Sequence, residues 1–387
     1  MQCGVWRVPG VAPALVCAGL VTGSLMVETA AAADISVGDG GSIRLMEGER
    51  SFQIAGRAVM GAAIYNRDVT PLESGGEMDL ALLAARANLG NGWNINVSYD
   101  LNGSAFFDTS ITKSGLAIGA IQVGQFRPQI GLFDGGAWTI FAQRSMIEQA
   151  VTIPRTLGVG IEGGAARYSY SFAVNGDQIG EETPGRDPRK YSTRWVVRPA
   201  PPSWGTFQIG LNGIYQETPE SRIHKVSVNP IPARDVTPVL LRVSESDADA
   251  RSVAGAEVLW AKGPWTLQSE YMHASVSAPA APHFYGYYGQ AVYAIGAHRD
   301  FTEESGTLGR PHLWNPAAGA WELAMRYDAI DLGAASGGAA ANWSLAIVRY
   351  FSNPLRVGAT LARSSIRDGL NGDEVVKSIQ LKAQWFL

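Results

Sequence analysis

Residues 123–162 read VGQFRPQIGLFDGGAWTIFAQRSMIEQAVTIPRTLGVGIE. An alternating run over 115–125 breaks at Arg127-Pro128, and about thirty residues follow with no sustained two- or 3.6-residue period before alternation resumes near Leu157. Structureless connections of that length inside a compact body are uncommon and usually functional. In a chain otherwise built of short alternating strands, the simplest place for such a loop is the inside of a barrel.

The strands are read from alternation. In 93–101, Trp93, Ile95, Val97, Tyr99 and Leu101 share one face, while Asn94, Asn96, Ser98 and Asp100 share the other. The turn Gly90-Asn91-Gly92 makes a hairpin of this strand with 79–89. Residues 52–65 and 165–175 repeat the pattern, and further strands are expected over 191–198, 206–216, 252–261, 265–275, 287–298, 320–332, 341–351, 355–366 and 374–387. Connections such as Lys262-Gly263-Pro264 and Ser352-Asn353-Pro354 are short, whereas 218–250 and 299–318 are long and polar. Short turns at one end and long loops at the other are the habit of an outer-membrane barrel. Trp93, Trp195, Trp265, Trp321, Trp343 and Trp385 stand near strand ends, as interfacial girdles require.

Ahead of the strands, Arg7, a mostly apolar run over 8–27 and Ala31-Ala32-Ala33 read as a signal peptide, 1–33, leaving a single body over 34–387. Both cysteines, Cys3 and Cys17, fall in the leader, so the mature chain holds no disulfide or thiolate metal site. After the leader no apolar run is long enough for a transmembrane helix. If the chain enters a membrane, a closed barrel is the way left, because it satisfies every backbone group in lipid. At about 22 residues per strand and connection, 34–387 accommodates about 16 strands. The expected fold is therefore all-β, a transmembrane antiparallel barrel with an inward-folded third loop over 125–156.

The period-two faces also place the charges. Arg57, Arg167, Arg194, Arg198, Arg326 and Arg356 fall on the polar, lumen-facing side, where a planar guanidinium that stays charged suits small anions. Arg349 falls on the apolar side and is expected to snorkel at a strand end. The alternative is that the lumen arginines are structural, bridging to Glu162, Asp100, Glu322, Glu270 and Asp328. The net charge of -4 does not decide this, because selectivity belongs to the narrowest point. The five histidines show no close metal spacing, no P-loop or Gly-x-Ser-x-Gly elbow is present, and the scattered basic residues give no nucleic-acid footprint. No cofactor, metal or catalytic residue is assigned.

The residues 123–132 (VGQFRPQIGL), Ala142-Gln143-Arg144-Ser145 and Leu157-Gly158-Val159-Gly160 resemble the third loop and its flanks in the phosphate-selective O/P porins of Gram-negative outer membranes. The stretches 263–272 (GPWTLQSEYM), 286–290 (GYYGQ) and 319–332 (GAWELAMRYDAIDL) are similar to that family too. The resemblance implies a homotrimeric, 16-stranded bacterial outer-membrane barrel in contact with lipid and lipopolysaccharide. It would pass small anions, phosphate or polyphosphate among them, by passive diffusion and without catalysis. By position it assigns Arg127 and Arg144 to the constriction, Arg194 to a wall strand, and Asp100 to orienting a lysine or releasing the anion. Where the family carries Arg-Arg-Ala-Arg, this chain reads Leu83-Ala84-Ala85-Arg86, so only Arg86 remains. That departure keeps open a general, weakly selective porin, and a barrel plugged by its third loop and acting as an outer-membrane enzyme is the other alternative.

Overall fold

The structure is a computed structural model that describes residues 34–387 apart from 39–41, 67, 133–137, 181–187, 219–223, 230–238, 336 and 352–353. The expected leader, 1–33, lies outside the described residues. A hairpin of β1 (Asp34–Val37) and β2 (Ile43–Glu47) leads into β3 (Arg50–Tyr65). Then come β4 (Gly75–Gly90), β5 (Trp93–Asp100), β6 (Ala105–Leu116) and β7 (Gly119–Phe126), followed by a long connection carrying α1 (Met146–Val151). The wall continues with β8 (Thr156–Ala165), β9 (Tyr168–Asn175), β10 (Lys190–Val197) and β11 (Thr206–Glu217). A separate hairpin, β12 (His224–Val228) and β13 (Leu241–Glu245), precedes β14 (Ala250–Lys262), β15 (Trp265–Ser277) and β16 (His283–Ile295). A second, β17 (Ala297–Thr302) and β18 (Thr307–Leu313), precedes β19 (Ala320–Asp331), β20 (Ala339–Tyr350), β21 (Leu355–Gly369) and β22 (Gly372–Phe386).

Wall neighbours are antiparallel, and β22 returns to β3 with Phe386 opposite Arg57 and Ser378 opposite Tyr65. Among the described residues 16 strands thus close a barrel. Leu387 and Gly56 exchange main-chain bonds, and β2 then takes over the same edge of β3 from Ile54 to Arg50, so that edge is covered. The tight turn at Asn91-Gly92 has φ of 51° and 76°, the left-handed pair a two-residue hairpin demands. No helix among the described residues is long and apolar enough to cross a membrane.

Connections alternate between the ends of the barrel. Those over 66–74, 101–104, 127–155, 176–189, 218–249, 278–282, 332–338 and 370–371 share one end. Those over 91–92, 117–118, 166–167, 198–205, 263–264, 296–319 and 351–354 share the other. The first is the loop end, the end that in outer-membrane barrels faces outward from the cell, and the second is the turn end. The expectation that 218–250 and 299–318 lie together is therefore corrected: the second belongs to the turn end. Trp93, Trp195, Trp265, Trp321 and Trp385 ring the turn end on the outer face, whereas Tyr271, Tyr285, Tyr287, Tyr327 and Trp343 form the loop-end belt.

The connection after β7 folds into the barrel because the wall offers partners for its backbone. Leu132 N–H donates to Glu270 Oε1 (2.8 Å), Met146 N–H to Asp328 Oδ1 (3.0 Å) and Ala142 N–H to Thr360 Oγ1 (3.2 Å). Gly131 has φ +69°, and a Cβ there would lie 2.0 Å from Glu270 Oε1, so only glycine lets the loop reach the wall at this point. Ser145 and Glu148 form a capping box at the start of α1. Against α1 packs the β12–β13 hairpin, through Gln149 Nε2 to Asn229 O (3.3 Å) and the buried Ile147, Val151, Val226 and Val228. It reaches across the mouth until Leu370 N–H donates to Leu240 O (3.0 Å).

Within this docked hairpin, burial and then the neighbouring Arg251 pull the His224 imidazole from 6.5 down to about 4. The docked ring stays neutral while a released one protonates at its ordinary value, so docking is fully stable above about pH 6.5 and weakens as pH falls toward about 4. The loss is on the order of 3 kcal/mol at most. Hydrogen exchange of the β12–β13 amides, corrected for intrinsic rates, is expected to accelerate between about pH 7 and about pH 4.5, and not to do so in His224→Gln.

Candidate functional site: the constricted lumen

Two adjoining cavities occupy the lumen. The larger, about 390 Å³, is bounded by the loop after β7, by β15, β16 and β19, and by Thr307, Leu308 and Gly309 of the β17–β18 hairpin. The smaller, about 270 Å³, lies between the same loop and the wall of β3, β4 and β22, with Arg57, Asp79, Phe107, Lys382 and Gln384 around it. Arg127, Thr139, Gln143, Arg144 and Arg155 line both cavities and form the waist between them. Burial, and then the charges of Arg144 and Arg155, pull the Arg127 guanidinium below its ordinary value. Arg155 ion-pairs with Asp108 (2.8 Å) and lies over the Phe107 ring at 3.4 Å. Among the described residues no group of three or more His, Cys, Asp or Glu side chains could hold a metal ion.

Of the residues expected from sequence, the structure brings Arg57, Arg127 and Arg144 together at this waist. Arg326 lines the larger cavity, yet it donates to Gln143 O (2.9 Å) and Arg144 O (3.4 Å) and pairs with Asp328 (3.3 Å), so it holds the loop down. Arg356 is buried, bonded to Gln384 (2.6 Å) and set under the Trp138 ring. Arg194 is corrected from anion guide to anchor: it is 2 % exposed, pairs with Glu257, and donates to Ser305 O and Gly306 O. Arg167 sits in the exposed 166–167 turn rather than on a strand face, where its carbonyl accepts from Arg198 N–H. Arg86, bonded to Asn96 Oδ1 (3.4 Å), lies toward the turn end and away from the waist. Asp100 accepts from Ala81 N–H (3.1 Å) and Asn102 N–H (3.0 Å), so its carboxylate ties the rim together rather than orienting a lysine. Sequence reasoning missed Arg155 and Lys382. Lys382 is recoverable, since it shares the lumen parity of Gln380 and Gln384; Arg155 is not, since its place depends on how the loop returns.

The β17–β18 hairpin is the second unforeseen part. It enters the lumen from the turn end, where Glu303 O accepts from Ser169 Oγ (2.8 Å) and Arg198 Nη2 (3.1 Å), and Gly306 O from Gln208 Nε2 (2.8 Å). Gln129 of the loop-end insertion donates to Ser305 O (3.3 Å), so the two insertions meet. Arg299 grips Glu322 (2.7 Å) and Trp138 O (3.1 Å), tying them a second time. Replacing 303–308 by Asn-Gly, which keeps the Arg194–Glu257 pair, is expected to raise single-channel conductance in a planar bilayer on the order of twofold. Unchanged conductance would mean that the tip does not restrict the passage.

The family model for phosphate-selective porin O and P matches residues 66–378. Porin O of Pseudomonas aeruginosa is 24% identical over 274 residues, a match that spans 62% of this chain and 63% of that relative's length. Among solved structures, an anion-selective porin from Comamonas acidovorans superposes with a TM-score of 0.56 at 14% identity, covering 88% of this chain and 100% of that one. The trimer form of OmpT from Vibrio cholerae gives a TM-score of 0.56 at 10% identity, covering 87% and 99%. A closed 16-stranded wall, an inward-folded third loop and a family match over most of the chain lead to one conclusion: the chain belongs to the phosphate-selective porin O and P family, barrels of the bacterial outer membrane.

Proposed function

We propose that the protein is a passive diffusion pore for small anions, with phosphate-class oxyanions as its preferred solutes. The observation that carries this is the waist, where Arg127, Arg144 and Arg155 border both cavities and Arg57 and Lys382 complete the ring from the wall. An anion crossing from one cavity to the other must pass these cations. At an effective dielectric near 20, one cation and one anion at 4 Å attract by about 4 kcal/mol, so converging guanidiniums replace part of a lost hydration shell. Planar guanidiniums match tetrahedral oxyanions through paired donors. Asp79 and Asp108, set among the cations, keep the attraction weak enough for release. A homotrimer is the assembly this reading adopts, in line with the trimeric neighbour.

One observation favours a general, weakly selective pore instead: lumen-facing Ala84 is fully buried and uncharged where the family carries an arginine. The reversal potential in a planar bilayer under a KCl gradient separates the readings. The anion pore is expected to give a chloride-selective potential and a conductance blocked by added phosphate. In Arg127→Gln/Arg144→Gln the potential is expected to move toward zero and the phosphate block to weaken about tenfold or more. A wild-type potential near zero would identify the general pore.

A further inference from the structure

On the outer surface, one row of directly opposed residues crosses β19 to β22 at the loop-end belt: Tyr327, Trp343, Arg363, Lys377. Two residues closer to the turn end, the parallel row is Met325, Leu345, Leu361, Ile379 and, on β3, Ile64. The belt is thus aromatic as far as β20 and cationic on β21 and β22, directly above continuous apolar surface. An outward groove of about 540 Å³ lies there, floored by Ile64, Leu345, Leu361 and Ile379 and rimmed by Trp343, Arg363 and Lys377.

Like charges directly opposite on neighbouring strands repel. Among the described residues no carboxylate pairs with either Arg363 or Lys377. Both side chains are exposed and point away from the lumen, so pore solutes do not neutralise them. What would relieve the pair is a multiply charged anion at headgroup height, and what would fill the groove beneath is hydrocarbon. Those two properties belong to one kind of molecule in the outward leaflet of an outer membrane.

We propose that this groove binds lipopolysaccharide, with Arg363 and Lys377 holding a lipid A phosphate and an acyl chain lying along Leu345, Leu361 and Ile379. The assignment needs the barrel's place in the outer membrane but not its anion selectivity. The test uses the delipidated, detergent-purified protein, native mass spectrometry, and bis-phosphorylated lipid A as the probe, with heat-modifiable gel migration confirming that each variant is folded. Wild type is expected to bind lipid A in preference to its dephosphorylated form, without competition from inorganic phosphate. Arg363→Gln/Lys377→Gln is expected to lose about tenfold or more in affinity with conductance unchanged, and Leu361→Asn to weaken binding while leaving the cations in place. Equal binding by wild type and the double variant would overturn the assignment. So would competition by inorganic phosphate, which would mark a simple anion site. An oligomer that dissociates in the double variant while lipid binding persists would assign the face to a subunit contact instead.

Discussion

A segment carried into a barrel takes main-chain N–H and C=O groups away from bulk water, and each needs a partner there. That constraint organises the lumen. Wall carboxylates receive the loop amides, Glu270 from Leu132 and Asp328 from Met146. Wall guanidiniums receive the carbonyls, Arg326 those of Gln143 and Arg144, Arg251 those of Ala150 and Val151, and Arg194 those of Ser305 and Gly306. The passage is the space that remains once these bonds are made, so its outline follows from the anchors.

The same constraint divides the lumen cations by task. An arginine that grips a carboxylate and a loop carbonyl has used the donors with which it would greet a solute, as Arg194 does on Glu257 and the hairpin tip. Such pairs are weak evidence for stability in themselves, but breaking one leaves a buried charge alone at a cost of about 3 to 5 kcal/mol. They therefore define geometry more than they add free energy. The cations at the waist stand on the inserted loop itself or on the wall facing it, where they border open space. Depth of burial marks the difference: Arg194, Arg356 and Arg326 are nearly inaccessible, whereas Arg57, Arg144 and Arg155 are only partly covered.

Much of this was legible in the chain. Strict alternation in β5 and the outward tryptophans gave the wall, because a lipid-facing side and a lumen side leave a period-two record. Which arginines face the lumen was readable from parity; what each one meets was not, because the partner comes from a distant segment, as Ser305 and Gly306 do for Arg194, 111 and 112 positions away. Arg167 was misread because the tight 166–167 turn interrupts a run of residues that alternates on both sides. The end of the barrel at which 296–319 emerges was readable after all. Antiparallel strands make connections alternate, and three wall strands, β14 to β16, separate 218–249 from 296–319, so the two must leave from opposite ends. Loop length, which guided the expectation, carries no such parity.

The chain is acidic as a whole while its waist is cationic, and the anchoring chemistry reconciles the two. Glu257, Glu270, Glu322 and Asp328 are buried wall residues, each engaged by an arginine, a tyrosine or a loop amide: Arg194, Tyr288, Arg299 and Met146 respectively. Three of them, Glu257, Glu322 and Asp328, are ion-paired to arginines and Glu270 is held by hydrogen bonds, so they are engaged away from the waist. Exposed acids on the loops stand in water, where a Debye length of about 8 Å at physiological salt screens them from the lumen. On the proposed reading, what a solute meets between the cavities is the local set, Arg57, Arg127, Arg144, Arg155 and Lys382 against Asp79 and Asp108, and that set is positive. The inserted loop therefore does two things at once: it narrows the passage, and it brings three of its own cations to the place where the wall's acids are already engaged.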